Sequence, residues 1–492
     1  MGHDTAPERI RAMSDWRGRL LPVRLGSPGH GGFCVARHEG RVVFVRHGLP
    51  GERVVARVTE DTGGAFCRAD AVDILDPSPD RVPATCPVSG PGGAGCCDFS
   101  HATATAQRAL KASVVTEQLR RIAGIDREVE VEPITGFGDR TGGWRTRIRL
   151  PVDAAGRAGI HRYRSTEVIA DLRCPQPVPG ALDGIAERRW TPGADLVVAV
   201  DADGIRHIVE LAPPHQEIDI RGGRRGRRGD DPAAGRRPGG RALSSSRADT
   251  SRVRTADERP TGPGVEPRFA DDPESDRRGA QRRRAAARRA AAHGHREEWV
   301  LGGSGRAVEY VAGRRWEISA TGFWQAHRGA AQCYSDVVAQ WSDLAPGDTA
   351  WDLYSGAGVF AARLAERTGP TGSVLAVESA RSAVADGVAA LRDLPWLDLR
   401  AQRVERWVAE HAGGPAPRVV VLDPPRAGAG KTVVGPLTGV GPDRIVHIGC
   451  DPAAFARDLG LYRAAGYHLS ELRAFDAFPA THHVECLALL ER

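Results

Sequence analysis

Among the polar residues of this 492-residue chain, Cys450 is the best placed to attack a substrate. It ends the apolar run RIVHIGC and is followed at once by DPAAFARDL, a good helix start. A thiol there feels the positive end of the helix dipole, so its pKa is expected to fall and its thiolate to be available as a nucleophile. Other strand-to-helix junctions suit a ligand. In DLYSGAGVF, Asp352 to Phe360, Gly356 and Gly358 let the backbone pass close to a nucleoside at a sheet's carboxyl edge. Glu378 closes the next strand, SVLAVES, 26 residues after Asp352, and offers a carboxylate to ribose hydroxyls. DPPR, Asp423 to Arg426, follows the strand VVVL with a carboxylate and a proline-fixed turn that walls the pocket. Val359 and Ala361 stand where a dinucleotide binder would carry more glycine, so S-adenosylmethionine outranks NAD.

A nucleophilic thiol beside a methyl donor suits one reaction well. Carbon 5 of uracil is a poor nucleophile until a thiolate adds to carbon 6; the resulting enolate attacks the methyl group, a base removes the carbon 5 proton, and the thiol leaves. Methyltransferases acting on exocyclic amines tend to end the DPP-type turn in an aromatic residue that stacks on the base, whereas Arg426 ends it here.

These groups need a sheet edge to hold them. After about Ala320 strands alternate with helices, TAWDLYS, VFAARLAERTG, SVLAVES, ARSAVADGVAALRDL, RVVVLDPP, RIVHIGC and AAFARDLGLYRAAGY, ending in HLSELRAFD and VECLALLER. That order predicts an α/β, Rossmann-like class I methyltransferase domain over 321–492, a parallel sheet with an antiparallel edge strand at its end. Residues 14–78 alternate in short β-rich runs (RLLPVRLG, GFCVARHEGRVVFVRH, ERVVARVTED, FCRADAVDIL), which predict a small closed barrel. The barrel resembles a TRAM domain, an OB-like RNA-binding module. A central α+β domain is expected over 79–220, returning at 299–320, with a helix from about Ala102 to Ala123. It carries crowded cysteines in CPVSGPGGAGCCDFSH.

The net charge of +6 is a poor guide to partners. Residues 221–298 hold 21 Arg against 12 Asp and Glu, which leaves the rest of the chain slightly negative. That stretch has few large apolar residues to bury and is expected to be a disordered insertion. The polar start and the absence of a long apolar run imply a cytoplasmic protein with no membrane contact. No obligate protein partner is evident, and a monomer is expected.

Taken together, DPPR, IGCDPAAFARDL and FDAFPATHHVECLALLER resemble the uracil-5 RNA methyltransferase family, over essentially the whole chain outside the insertion. The resemblance implies Cys450 as nucleophile, Glu485 of the terminal HxE as general base, and S-adenosylmethionine contacts from Gln325 in TGFWQAH, Tyr354, Glu378 and Asp423. Departures are His327 where Asn is common, Ser355 where Cys is common, and Gly449 and Asp451 flanking Cys450 where Ser and Asn are usual.

Cys86, Cys96, Cys97 and the remote Cys174 could supply four thiolates to a [4Fe-4S] cluster. Members resembling the rRNA-modifying branch carry such a cluster with a CxxC pair, but here Ala94 stands at the expected second cysteine. tRNA-directed members usually lack both barrel and cysteines, so the resemblance implies large-subunit rRNA rather than tRNA as the RNA partner. Two rivals fit less well. A radical methylthiotransferase needs CxxxCxxC, which is missing, and a non-catalytic RNA-binding protein would lack Cys450 or Glu485.

Overall fold

The computed structural model describes residues 15–214 and 296–492. Its first element is a six-stranded barrel: β1 (Leu20–Arg24), β2 (Pro28–Gly29), β3 (Phe33–His38), β4 (Arg41–Arg46), β5 (Arg53–Asp61) and β6 (Phe66–Asp76), ordered β1-β5-β6-β4-β3-β2. Alternation turns Leu21, Val23, Val43, Val45, Val54, Ala56 and Val58 into one apolar core. The barrel closes where the chain following β1 meets β3: Gly26 N donates to Val35 O and Val35 N to Ser27 O. Buried Arg41 grips Asp61 through two bonds of 2.6 and 2.9 Å.

Next comes α1 (Ala104–Gln118), begun where Thr103 Oγ1 accepts from Ala106 N and continued through a π turn at Leu119–Ala123. β7 (Val131–Pro133) follows. β8 (Arg147–Pro151), a two-residue pair β9 (Ile160–His161) and β10 (Val168–Ile169), β11 (Asp195–Val200) and β12 (Arg206–Leu211) lead to β13 (Glu298–Gly302), giving an antiparallel sheet ordered β13-β12-β11-β8. The expected insertion lies outside the described residues save for its last three: Arg296 bonds the Leu211 carbonyl, and Glu298 opens β13. The hairpin β14 (Arg306–Val311) and β15 (Arg314–Ser319) packs Val311, Trp316 and Ile318 against the methyltransferase sheet, and Trp316 Nε1 donates to Ala357 O at 3.0 Å.

The C-terminal part runs α2 (Ala330–Trp341), β16 (Thr349–Leu353), α3 (Val359–Thr368), β17 (Ser373–Glu378), α4 (Arg381–Ala390), β18 (Leu397–Ala401), α5 (Val404–Glu410), β19 (Val419–Leu422), α6 (Lys431–Val440), β20 (Arg444–Gly449), α7 (Pro452–Ala464), β21 (His468–Asp476) and β22 (Glu485–Glu491). Its sheet is ordered β18-β17-β16-β19-β20-β22-β21-β7, parallel from β18 to β20. Helices bury a core on each face. The strands VVVL and ECLALL are buried on both sides, which explains their unbroken apolar character.

One expectation is corrected. β22 is antiparallel but is not an edge strand; it pairs with β20 on one side and β21 on the other. A short connection brings it back antiparallel to β21, and its apolar residues on both faces require interior placement. The outer position falls to β7, parallel to β21. Among the described residues no helix is long and apolar enough to cross a membrane.

Candidate active site

The β20–β22 register pairs Gly449 with Cys486. Continued by one residue, it sets Cys450 opposite Glu485. Directly opposed residues on antiparallel strands stand about 5 Å apart at Cβ. Two residues 35 positions apart are thus neighbours because one strand ends where the other begins. Gly449 is forced by packing: a Cβ there would lie 2.9 Å from Phe455 Cδ2. Asp451 starts α7 by accepting from Ala453 N and Ala454 N at 3.1 and 2.9 Å through Oδ1.

Burial dominates the electrostatics. Glu485 is 3% exposed, and its Oε1 has no hydrogen-bond partner among the described residues. Burial holds its pKa well above the carboxylate range; Asp423 adds to the rise and Arg426 opposes it. The Cys450 thiol is pushed up to about 12, first by burial and then by Glu485, again against Arg426. The expected fall in thiol pKa is therefore corrected: desolvation and neighbouring carboxyls outweigh the helix N-terminus. In the free protein the thiol is protonated at neutral pH.

The residues expected to contact the cofactor come together at the same sheet edge. Gln325 Nε2 donates to Asp423 Oδ2 at 3.3 Å, joining segments 98 residues apart, and burial raises the Asp423 carboxyl. Glu378 is oriented by Gly356 N at 3.2 Å, Ala380 N at 2.7 Å and the Ser379 hydroxyl at 3.0 Å. Both lone pairs of Oε1 and one of Oε2 are thereby engaged, which leaves one on Oε2 for a ribose hydroxyl. Tyr354 has φ +63°, a conformation that costs energy for a non-glycine residue and clusters at ligand sites. Gly358, at φ +77°, is required as well, since a Cβ would meet Leu391 Cδ1 at 2.7 Å. Asp352 is fully buried and braces the start of α3 through Ala361 N at 2.8 Å, so it is structural. The remaining donors and acceptors, a carboxylate at a strand end, an amide–carboxylate pair and a glycine turn, fit S-adenosylmethionine.

The four sequence-predicted cysteines also converge. Cys97 lies in side-chain contact with Cys174, Cys86 and Cys96, so adjacent Cys96 and Cys97 both turn inward. Their mutual bonds hold Cys86 down to about 6, lower Cys174 and raise Cys97. Gln176 Nε2 donates to Cys97 Sγ at 3.2 Å, and the Arg145 guanidinium faces Cys174, Cys96 and Cys97. Four thiols, a cation and an amide donor are chemically suited to a thiolate-ligated cluster. As placed, the sulfurs touch one another, and no group of three such ligands among the described residues surrounds a common metal position.

Several functional neighbours escaped sequence reasoning. The loop FPATHHVE, which delivers Glu485, is clamped from α1: Lys111 Nζ reaches Asp476 at 2.5 Å and Phe478 O at 3.1 Å, and Gln107 Oε1 accepts from Ala480 N at 2.7 Å. Asp98 ties the cysteine loop to this loop through His482 at 2.6 Å and to the barrel through Arg46 at 2.7 Å. Lys111 had one faint signal: it is one of two lysines in a chain that otherwise uses Arg. Phe323, two residues before Gln325, is 74% exposed. His327 is buried among Phe137 and Trp144, with ring centroids at 4.6 and 5.9 Å.

This sheet order and edge site define an S-adenosylmethionine-dependent methyltransferase. Residues 16–72 match the TRAM domain family, and residues 416–492 match the family described as tRNA (Uracil-5-)-methyltransferase. An RNA methyltransferase of Streptomyces avermitilis is 40% identical over 487 residues, covering 96% of this chain and 98% of that protein. A 23S rRNA (uracil(1939)-C(5))-methyltransferase of Alkalilimnicola ehrlichii is 29% identical, covering 97% and 98%. The solved structure of Pyrococcus abyssi tRNA (uracil-54, C5)-methyltransferase with S-adenosyl-L-homocysteine shares the fold, with a TM-score of 0.60, 18% identity, and 96% and 100% of the two chains covered. The chain belongs to the RNA uracil-5-methyltransferase family.

Proposed function

We propose that this enzyme methylates carbon 5 of a uridine in large-subunit rRNA through a covalent Cys450 adduct. The observation that carries the mechanism is the strand register that pairs Gly449 with Cys486, one residue short of Cys450 and Glu485, together with the charge interaction of Glu485 with the Cys450 thiol. Gln325, Tyr354, Glu378 and Asp423 would hold S-adenosylmethionine, which when bound supplies an electrophilic methyl group. The Cys450 thiol gives up its proton to solvent and Sγ bonds to carbon 6, while the ring's π electrons move to give an enolate nucleophilic at carbon 5. Arg426 opposes the rise of the thiol pKa and so favours the thiolate. Once carbon 5 carries the methyl, Glu485, its own proton first released to solvent, takes the carbon 5 proton; a carboxyl whose proton affinity burial has raised is a stronger base for that step. Loss of that proton re-forms the double bond and expels the thiolate.

The rRNA assignment rests on the relative from Alkalilimnicola, matched along the whole chain. A tRNA substrate is the second reading, favoured by the description of the family matched by residues 416–492. The target must be single-stranded or flipped out, because a thiol cannot reach carbon 6 in a stacked helix. Cys86, Cys96, Cys97 and Cys174 would hold a [4Fe-4S] cluster, each sulfur moving outward from its present contact; about four iron and four sulfide per chain in anaerobically prepared protein is the expected content. To test the function, purified protein is incubated with methyl-labelled S-adenosylmethionine and unmodified rRNA or tRNA transcripts, beside Cys450→Ala. Label as 5-methyluridine in rRNA, lost in the variant, is expected. Label in tRNA alone overturns the substrate, and label on an exocyclic amine overturns the reaction.

A further inference from the structure

The RNA-binding barrel reaches into the catalytic centre at one turn, His30 to Gly32, between β2 and β3. His30 Nε2 lies 3.1 Å from Asp451 Oδ2, the residue that follows Cys450. Two residues on, Gly32 is buried at φ +81° against the other catalytic loop. A Cβ there would meet Asp98 Cβ at 3.1 Å and His482 Cβ at 3.3 Å. His482 precedes Glu485 by three residues, and Asp98 is anchored to β4 through Arg46. One turn of the barrel therefore touches both the loop that bears the thiol and the loop that bears the carboxyl.

The Asp451 carboxylate divides its work. Oδ1 accepts both backbone N–H groups of the α7 start, and Oδ2 takes the His30 ring. An asparagine at 451 could still start the helix through its carbonyl oxygen, but its neutral NH2 group would lose the charge-assisted contact and could bond only the His30 tautomer that accepts at Nε2. Aspartate after the nucleophile and histidine at the barrel's turn thus form a matched pair. Each perturbs the other in the matching sense: the bond to Asp451 raises His30, while Asp451 sits at about 2, below the range its burial alone would give.

We propose that His30 is a positioning residue for the methyl-transfer reaction, holding Cys450 in register through Asp451, so that the barrel completes the catalytic site as well as serving RNA. This rests on the reading of Cys450 as nucleophile. The test uses the full chain and whichever transcript it methylates, with His30→Ala, His30→Gln, Asp451→Asn and the double variant His30→Ala/Asp451→Asn. A small displacement of a nucleophile is costly, so kcat should fall about tenfold in His30→Ala while KM for RNA stays within about twofold. Gln carries an N–H near the position of Nε2 and should restore kcat to within about threefold of the parent. Because the two residues act through one contact, the double variant should be no slower than the slower single. Iodoacetamide modification of Cys450, measured without RNA, should change in rate in His30→Ala and be restored in His30→Gln.

A rise in KM alone, or single effects that multiply in the double variant, would overturn the proposal and leave His30 as an RNA contact or an independent residue. Formation of 5-methyluridine by Cys450→Ala would instead overturn the underlying reading of the nucleophile.

Discussion

Lys111→Met removes one side of a buried ion pair while keeping most of the side-chain volume. Lys111 is completely enclosed, Asp476 is 5% exposed, and their atoms are 2.5 Å apart. Burial lowers the lysine's pKa and Asp476 pulls it back, the balance expected of a charge that survives inside only because it is paired. Removing the amine leaves the Asp476 carboxylate uncompensated and the Phe478 carbonyl without its donor. Breaking such a pair from one side costs about 3–5 kcal/mol. Replacing both partners, as in Lys111→Met/Asp476→Leu, should recover most of that loss, because an apolar pair needs no desolvation of charge. Denaturant unfolding measures the difference in free energy. Asp476 also ends β21 just before the loop that delivers Glu485, so the single variant should lose turnover. A loss under about 1 kcal/mol, or a double variant no more stable than the single, would refute the reasoning, since the pair would then behave like a surface salt bridge.

Phe323→Ala should raise KM for RNA about tenfold with kcat nearly kept, the magnitude of one lost base–aromatic stack; steady-state kinetics would show it. Asp61 is held well below the carboxylate range, first by its bond to Arg41. A depressed folded pKa gives stability that is present above the unfolded value of about 4 and lost as pH falls through the folded one, so amide exchange in the barrel should accelerate below about pH 4 and lose that dependence in Arg41→Met. Cys450, pushed up to about 12, should react with iodoacetamide more slowly than free cysteine at neutral pH and accelerate steadily into alkaline solution.

The strand-ending motifs were legible because each couples an apolar run to a polar residue at its carboxyl end, and a parallel sheet brings such ends to one edge. Cys450, Glu378 and Asp423 were found that way. Glu485 and Gln325 came only through family resemblance, because nothing local distinguishes a carboxylate at the start of a buried strand or an amide in a loop. The interior place of β22 was missed since ECLALLER reads equally as an edge or a centre; only its burial on both faces decides. β7, three residues long, offers too little pattern to be seen. The thiol's raised pKa was misjudged because a helix N-terminus is visible in sequence whereas burial and the approach of Glu485 are tertiary. The contacts of His30, Asp98 and Lys111 join segments up to 421 residues apart, and no periodicity encodes such distances.

The central claim is a bond between Cys450 and carbon 6 of a uracil. A transcript carrying 5-fluorouridine should trap it, because Glu485 has no carbon 5 proton to remove and the thiol cannot be expelled. Peptide mapping by mass spectrometry is predicted to find the RNA fragment on Cys450, only with S-adenosylmethionine present, and to find none in Cys450→Ala. A crosslink on another residue, or continued formation of 5-methyluridine by Cys450→Ala on ordinary transcript, would contradict the account.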